Sequence, residues 1–112
     1  MQVDIRFRGL EPSPLLRDFA LRQVQFHLAR FGEEVSAVLV RVSDVNGPRG
    51  GVDKRCQVSV RGPKVASTLE SEAGDAYAAV DLAVKRQARA LRRHLERLRG
   101  LELSGPSLRR AL

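Results

Sequence analysis

The segment from residue 74 to residue 99 constrains this chain more than any other, because it combines helical periodicity with a dense run of positive charge. Apolar or small side chains recur there at steps of three and four, the spacing of one buried helix stripe. They are Tyr77, Val80, Val84, Ala88, Leu91, Leu95 and Leu98. At about 100° per residue the basic side chains fall in a separate arc. They are Lys85, Arg86, Arg89, Arg92, Arg93, Arg97 and Arg99. The pattern predicts a helix with one side in a core and a cationic opposite side.

The acidic residues of this segment cannot neutralise the cationic arc, because the arc has seven basic residues and the segment has three acidic ones, Asp75, Asp81 and Glu96. Asp75 is predicted to be the N-cap, where a carboxylate accepts free backbone N–H groups. A basic helix end can also be no more than a solvated face that suits the helix dipole. The whole chain, however, has a net charge of +7, and 17 of its 20 basic residues are arginine. This balance favours an anionic partner, either nucleic acid or an acidic membrane surface.

Length and composition exclude several other classes of protein. With 112 residues, the chain is predicted to form one domain with a real core. No segment approaches the roughly 20 apolar residues of a membrane span and no signal peptide pattern is present, so a soluble, cytoplasmic protein is expected. A single cysteine, Cys56, excludes an internal disulfide, and with two histidines it argues against a zinc site. We therefore expect no metal and no cofactor.

The first half of the chain predicts a strand, a helix and a second strand. Residues 3–7 alternate apolar and polar side chains, as in a strand with one buried face. Ser13 followed by Pro14 marks a helix start, and the apolar stripe that follows predicts a helix over residues 14–30, with Gly32 as a left-handed C-cap. The valine-rich segment 35–45 predicts the second strand.

The second half predicts a hairpin and then the basic helix. The turn residues 46–51 contain an Asn-Gly pair, which is typical of hairpins. Alternation at Cys56, Val58 and Val60 predicts a third strand, and residues 64–71 predict a fourth. The chain should then be an α+β two-layer sandwich of order β-α-β-β-β-α, with a four-stranded sheet and two helices on one face. Residues 1–99 would form this domain and residues 100–112 a flexible tail.

Catalysis is not indicated by any group of residues. His27 and His94 fall in separate predicted helices without a neighbouring motif, and Cys56 faces the interior, where a thiol is inert. The chain is therefore not expected to be an enzyme. A membrane-surface role is disfavoured because the apolar stripe lacks Trp or Phe anchors. Tyr77 is predicted to pack in the core rather than to stack on a base.

The run Asp75-Ala76-Tyr77-Ala78-Ala79-Val80-Asp81, followed by the basic helix, resembles the ribosome hibernation-promoting factor and ribosome-associated inhibitor family. The final helix of that family opens with an Asp-x-Tyr-x-Ala-Ile-Asp pattern. The resemblance covers residues 1–99 and implies a fold similar to a double-stranded-RNA-binding domain with an added first strand. It also implies binding to the small ribosomal subunit and its rRNA in the channel of messenger and transfer RNA. The expected activity is a block of translation, with no small-molecule substrate.

The resemblance also implies RNA-binding residues. Arg86, Arg89 and Arg93 match positions where the family usually carries Lys or Arg. Lys85, Arg92 and Arg97 are added to the set because they are positively charged and lie in the same arc of the helix. Four arginines on the exposed face of the sheet are expected to make further RNA contacts. These are Arg6, Arg8, Arg55 and Arg61.

The chain also departs from the family pattern in two ways. In the helix, Lys85 replaces a common acidic residue and Gln87 a common leucine. At the C-terminus the chain looks like a short form, without the dimerising second domain, and Arg109 and Arg110 replace an acidic extension.

Three hypotheses follow from the sequence. The first is a ribosome hibernation factor that occupies the decoding channel and acts in the stress response. The second is a general duplex-RNA-binding module of similar fold. The third is a divergent paralogue that acts as a protein-interaction and regulatory module, for which the basic face would be incidental. Steep loss of binding with salt is expected for the RNA-binding hypotheses and not for the third.

Overall fold

Over the residues that the structure describes, the chain forms four strands and two long helices, in the predicted order. The computed structural model describes the backbone of residues 1–45 and 53–111 and the side chains of residues 1–45 and 53–100. The strands are β1 (Gln2–Arg8), β2 (Ala37–Asp44), β3 (Lys54–Gly62) and β4 (Val65–Ala73). The helices are α1 (Pro14–Leu28), followed by a 3-10 turn (Ala29–Phe31), and α2 (Ala76–Ala111).

The four strands form one sheet in the order β1-β2-β3-β4. β1 runs parallel to β2, because α1 carries the chain back between them, while β2, β3 and β4 form an antiparallel meander. Ile5, Val40, Val58 and Leu69 lie in one row across the sheet. Because side chains alternate along a strand, this register directs the apolar residues of successive strands to the same face.

Both helices cover that apolar face, and the core lies between the two layers. From the sheet it contains the inward residues predicted by alternation, which are Ile5, Val38, Val40, Val42, Cys56, Val58 and Val60. From the helices it contains Leu16, Ala20, Val24, Leu28, Val80, Val84, Ala88 and Leu91. The predicted two-layer α+β sandwich is therefore confirmed.

Side-chain caps begin both helices as predicted. The Leu16 N–H donates to the Ser13 hydroxyl oxygen at 3.2 Å, and Pro14 follows the cap. At α2, the Ala78 N–H donates to a carboxylate oxygen of Asp75 at 3.3 Å. Each cap satisfies one backbone donor that has no partner within the helix.

The predicted left-handed C-cap at Gly32 is wrong. Gly32 has a φ of −60°, and the end of α1 tightens into the 3-10 turn, where the Gly32 N–H donates to the Ala29 carbonyl at 3.0 Å. A 3-10 turn satisfies the last carbonyls of a helix without a left-handed residue. In the described residues, the glycine with positive φ is instead Gly9, at 73°, just after β1.

Two predictions concern segments at the limits of the structure. The turn expected at residues 46–51 lies outside the described residues. The backbone of α2 continues as helix to Ala111, beyond the end expected near Arg99. Whether residues 100–112 act as a separate, flexible tail stays a prediction. None of the helices, over the residues described, is both long and apolar enough to cross a membrane.

Candidate nucleic-acid interface

The fold of α2 separates an apolar side from a cationic side. Val80, Val84 and Leu91 are buried against the sheet, together with the polar Gln87. The six cations predicted as RNA contacts all lie on the exposed side of α2, namely Lys85, Arg86, Arg89, Arg92, Arg93 and Arg97. At 1.5 Å per residue, they span about 18 Å along the helix axis. The structure thus brings these six side chains together in a ridge, which we call the cationic ridge.

The two flanks of the cationic ridge meet different parts of the fold. On one flank, Arg92 and Arg99 line a cleft of about 210 Å³ together with Arg30, which follows α1, and with Glu34 and Glu96. On the other flank, Arg97 lines a smaller cleft of about 180 Å³ beside the start of β4. Arg89 and Arg93 lie between these flanks, on the side of α2 that faces away from the sheet.

The cations of the ridge differ in how they are held. The Arg86 guanidinium donates to the Glu70 backbone carbonyl at 2.9 Å, which ties it to β4. Lys85 forms an i,i+4 ion pair with Asp81 at 3.1 Å. Within the part of the chain described with side chains, Arg89, Arg92, Arg93 and Arg97 have no ion pair or hydrogen bond through their guanidinium groups. Each of these four guanidinium groups therefore has all five of its N–H donors available to an external anion.

The other predicted contacts lie on the opposite face of the molecule. Arg6, Arg8, Arg55 and Arg61 project from the open face of the sheet, because they alternate with the buried residues of β1 and β3. Arg6 is paired with Asp4 at 2.9 Å and Arg55 with Glu72 at 3.0 Å. The structure therefore does not join this set to the cationic ridge. A shallow concavity of about 550 Å³ lies on this open face, beside Arg61.

Sequence reasoning missed three residues of α1 and its following turn that lie on the exposed helical layer. All three are exposed: Arg22 and Phe26 stand one turn apart on the outer side of α1, and Arg30 follows four residues later in the 3-10 turn. We call these three residues the α1 ridge. Their spacing of i, i+4 and i+8, opposite the buried stripe, was the signal that could have found them.

Tyr77 is only partly in the core, contrary to its prediction. Its side chain is 37% exposed, and its ring meets Phe19 edge to face, with centroids 5.1 Å apart. The reason is that Tyr77 lies on the flank of α2 that meets α1, whereas the residues above the sheet are covered on all sides. Tyr77 therefore joins the two helices at the rim of the core.

The residues considered for catalysis occupy structural positions. Cys56 is buried, and desolvation raises the pKa of its thiol to about 12, so the reactive thiolate does not form at neutral pH. A ring nitrogen of His94 lies 3.2 Å from the Lys64 carbonyl oxygen, and His27 contacts Phe26 edge to face. In the described residues, no group of three His, Cys, Asp or Glu side chains is arranged to hold a metal ion.

The fold of this chain resembles solved structures, among them the following two. A ribosomal subunit interface protein from Coxiella burnetii superposes with a TM-score of 0.74 at 19% identity, covering 86% of this chain and 99% of the other. The N-terminal domain of Protein Y from Thermus thermophilus superposes with a TM-score of 0.68 at 24% identity, covering 84% of this chain and 99% of the other. No curated protein matches the sequence significantly.

The sequence itself matches one family model over most of its length. Residues 3–99 match the family described as sigma 54 modulation protein / S30EA ribosomal protein. This match confirms the resemblance drawn from residues 75–81, and it spans β1 from residue 3, α1, β2, β3 and β4, and α2 as far as residue 99. The chain therefore belongs to the sigma 54 modulation protein / S30EA ribosomal protein family, whose members are ribosome-associated factors of translation regulation and hibernation.

Proposed function

We propose that this chain is a non-enzymatic hibernation factor of the cytoplasm, which binds the small ribosomal subunit at the decoding channel and excludes messenger and transfer RNA. The observation that carries the proposal is a group of four arginines, Arg89, Arg92, Arg93 and Arg97, which lie on the exposed side of α2 and make no hydrogen bond or ion pair with the described part of the chain. Membership of a family of ribosome-associated factors supports a ribosomal partner.

The mechanism would be steric and electrostatic. A guanidinium group binds a phosphate through two parallel hydrogen bonds, and it keeps its charge at any physiological pH. Several such groups along about 18 Å of a rigid helix would hold the protein on rRNA backbone. Because phosphate contacts release counterions, each contact should steepen the loss of affinity with salt. The bound domain would then occupy the volume that messenger and transfer RNA need.

A charge-reversal experiment tests the site. The variant Arg89→Glu, Arg93→Glu, Arg97→Glu should lose co-sedimentation with purified small subunits while keeping its far-UV circular dichroism and its unfolding midpoint. The matched control is Arg6→Glu, Arg8→Glu, Arg61→Glu, which makes the same charge change on the open sheet face. If binding is lost equally in both variants, either net charge or the predicted contacts of the sheet arginines account for it, and the assignment of binding to the cationic ridge alone is refuted. Retained binding by the folded ridge variant would also refute the assignment.

A competition experiment distinguishes the hypotheses for the partner. Release of the protein by messenger RNA and transfer RNA together is expected if it occupies the decoding channel. Equal affinity for free duplex RNA and for subunits would instead indicate a general duplex-RNA-binding module. Binding to a protein partner that barely changes between low and raised salt would indicate the protein-interaction module.

A further inference from the structure

Phe26 is the one phenylalanine of this chain that the core does not use. The chain has four phenylalanines. Phe31 is buried, and Phe7 and Phe19 pack against the core while partly exposed. Phe26 is 83% exposed and lies on the outer side of α1. A phenyl ring held in water loses the burial that stabilises aromatic residues elsewhere, so its position favours a contact outside this chain.

The Phe26 ring has an open face on which a planar group can stack. Its only ring contact within the described residues is with His27, at a centroid distance of 4.9 Å and an interplanar angle of 79°. This T-shaped contact leaves at least one face of the phenyl ring open, given its exposure. Because Phe26 stands on a helix, the ring is held on a rigid element.

The positive charges on either side of Phe26 favour a negatively charged partner. Arg22 and Arg30 stand one helical turn before and one turn after it, and both are exposed. Arg30 also lines the cleft that it shares with Arg92 and Arg99 of α2, beside Glu34 and Glu96. An aromatic face between cations suits an unpaired base whose neighbouring phosphates carry negative charge. An apolar protein surface would offer no anion to Arg22 or to Arg30, whose guanidinium lies over the Phe31 ring, 4.8 Å from its centroid.

We infer that Phe26 stacks on an unpaired RNA base, with Arg22 and Arg30 on the flanking phosphates. The α1 ridge and the cationic ridge would then bind one continuous RNA surface. The inference rests on the proposed function, because it assigns a second contact to the same RNA-bound face. It adds a stacking site to a set of contacts that is otherwise electrostatic.

Tryptophan fluorescence tests the inference, because the chain contains no tryptophan and a single substitution reports one position. Phe26→Trp should keep binding to purified small subunits, and its emission should be quenched on binding, as expected for an indole stacked on a base. Leu15→Trp is the matched control, since Leu15 is also on the outer side of α1, 74% exposed and three turns earlier. Its emission should change little.

Phe26→Ala supplies the second measurement. It should weaken binding to the subunit by roughly fivefold or more, with the salt dependence unchanged, because stacking releases no counterions. Wild-type affinity of Phe26→Ala, or unchanged emission of bound Phe26→Trp, would overturn the stacking assignment alone. A blue-shifted, brighter emission would overturn it too, since that indicates an apolar protein contact. Failure of the unsubstituted chain to bind subunits at low salt would refute the proposed function and this inference together.

Discussion

The side-chain amide of Gln87 donates a 2.8 Å hydrogen bond to the backbone carbonyl of Val58, which joins the middle of α2 to β3. The same amide nitrogen donates to the Ser67 carbonyl of β4 at 3.2 Å. Gln87 is fully buried, and among the described atoms its side-chain oxygen has no hydrogen-bond partner. One polar side chain therefore fixes the helix that carries the cationic ridge to two adjacent strands.

Replacement of Gln87 should show how much this amide stabilises the fold. Gln87→Ala should lower the free energy of unfolding by about 2–4 kcal/mol, because it removes two buried hydrogen bonds and opens a cavity. Gln87→Leu should cost less than half as much, since leucine fills most of the volume and removes the unpartnered oxygen. Urea unfolding of the two variants measures the difference. A Gln87→Ala variant as stable as the unsubstituted chain would contradict the importance of the bridge.

Replacing two glycines by alanine should change the stability of the protein in opposite directions. A Cβ atom on Gly62, at the end of β3, would overlap the backbone carbonyl of Glu34, so Gly62→Ala should destabilise the protein by more than about 2 kcal/mol. Gly100 lies in α2, and apart from its chain neighbours and the helix's own backbone no described atom lies within 4 Å of the position that an alanine methyl group would take. Gly100→Ala should therefore stabilise the protein by up to about 1 kcal/mol. Thermal unfolding checks both. Similar melting temperatures for the two variants would contradict the close approach at Gly62.

The Ser13 cap should contribute measurably to stability. Ser13→Ala removes the oxygen that accepts the Leu16 N–H, and it should lower the free energy of unfolding by about 1 kcal/mol. Ser13→Asp is the control, because a carboxylate can accept the same hydrogen bond and also suits the helix dipole. Chemical unfolding should therefore place Ser13→Asp close to the unsubstituted chain. Equal losses in both variants would show that the hydroxyl group acts in some other way.

Burial of Cys56 should make stability fall at high pH. The thiol of the unfolded chain ionises near its ordinary pKa of 9, whereas burial raises the pKa of the folded thiol to about 12. Between these values unfolding releases a proton, so this contribution is present below pH 9 and is lost as pH rises toward 12. The expected loss is about 1.4 kcal/mol per pH unit inside the window. Cys56→Ala should lack this component when unfolding is compared at about pH 8 and about pH 10.

Replacing Arg86 should lower the stability of the protein more than replacing Arg89, although both residues belong to the cationic ridge. Arg86→Ala loses the hydrogen bond to the Glu70 carbonyl and should cost about 0.5–1.5 kcal/mol. Arg89→Ala loses no contact within the described chain and should change stability by less than about 0.5 kcal/mol. Its effect should instead appear as weaker subunit binding, with a salt dependence reduced by about one. Equal stability of both variants would show that the Arg86 contact contributes nothing in solution.

Much of the fold was predictable because the periodicity of burial is a local property. Alternation along β1, β2 and β3, the Ser13-Pro14 start of α1 and the stripe of α2 each identified an element and its inward face. The helix end at Gly32 was not predictable in this way. A glycine there is compatible with a left-handed cap, and only the packing of Phe31 into the core shows that the chain turns through a 3-10 turn instead.

The candidate site was predicted in part, for a similar reason. The arc of α2 follows from helix geometry, so the six cations could be grouped from sequence alone. The intramolecular partners of these cations could not be predicted, because they depend on which strand lies beside the helix. Arg86 donates a hydrogen bond to β4, whereas Arg89, Arg92, Arg93 and Arg97 make no hydrogen bond or ion pair in the described structure. The same holds for the sheet arginines, which tertiary structure places on the opposite face.

By itself, the sequence determined the elements, their buried sides and the cationic character of α2, because each depends on residues within a few positions of one another. Tertiary structure decided why Gly62 must be small, which carbonyls the Gln87 amide reaches and that Arg30 shares a cleft with Arg92 and Arg99 of α2. These features depend on contacts between residues that are far apart in the sequence. Such contacts arise from the path of the backbone in space, which no local pattern specifies.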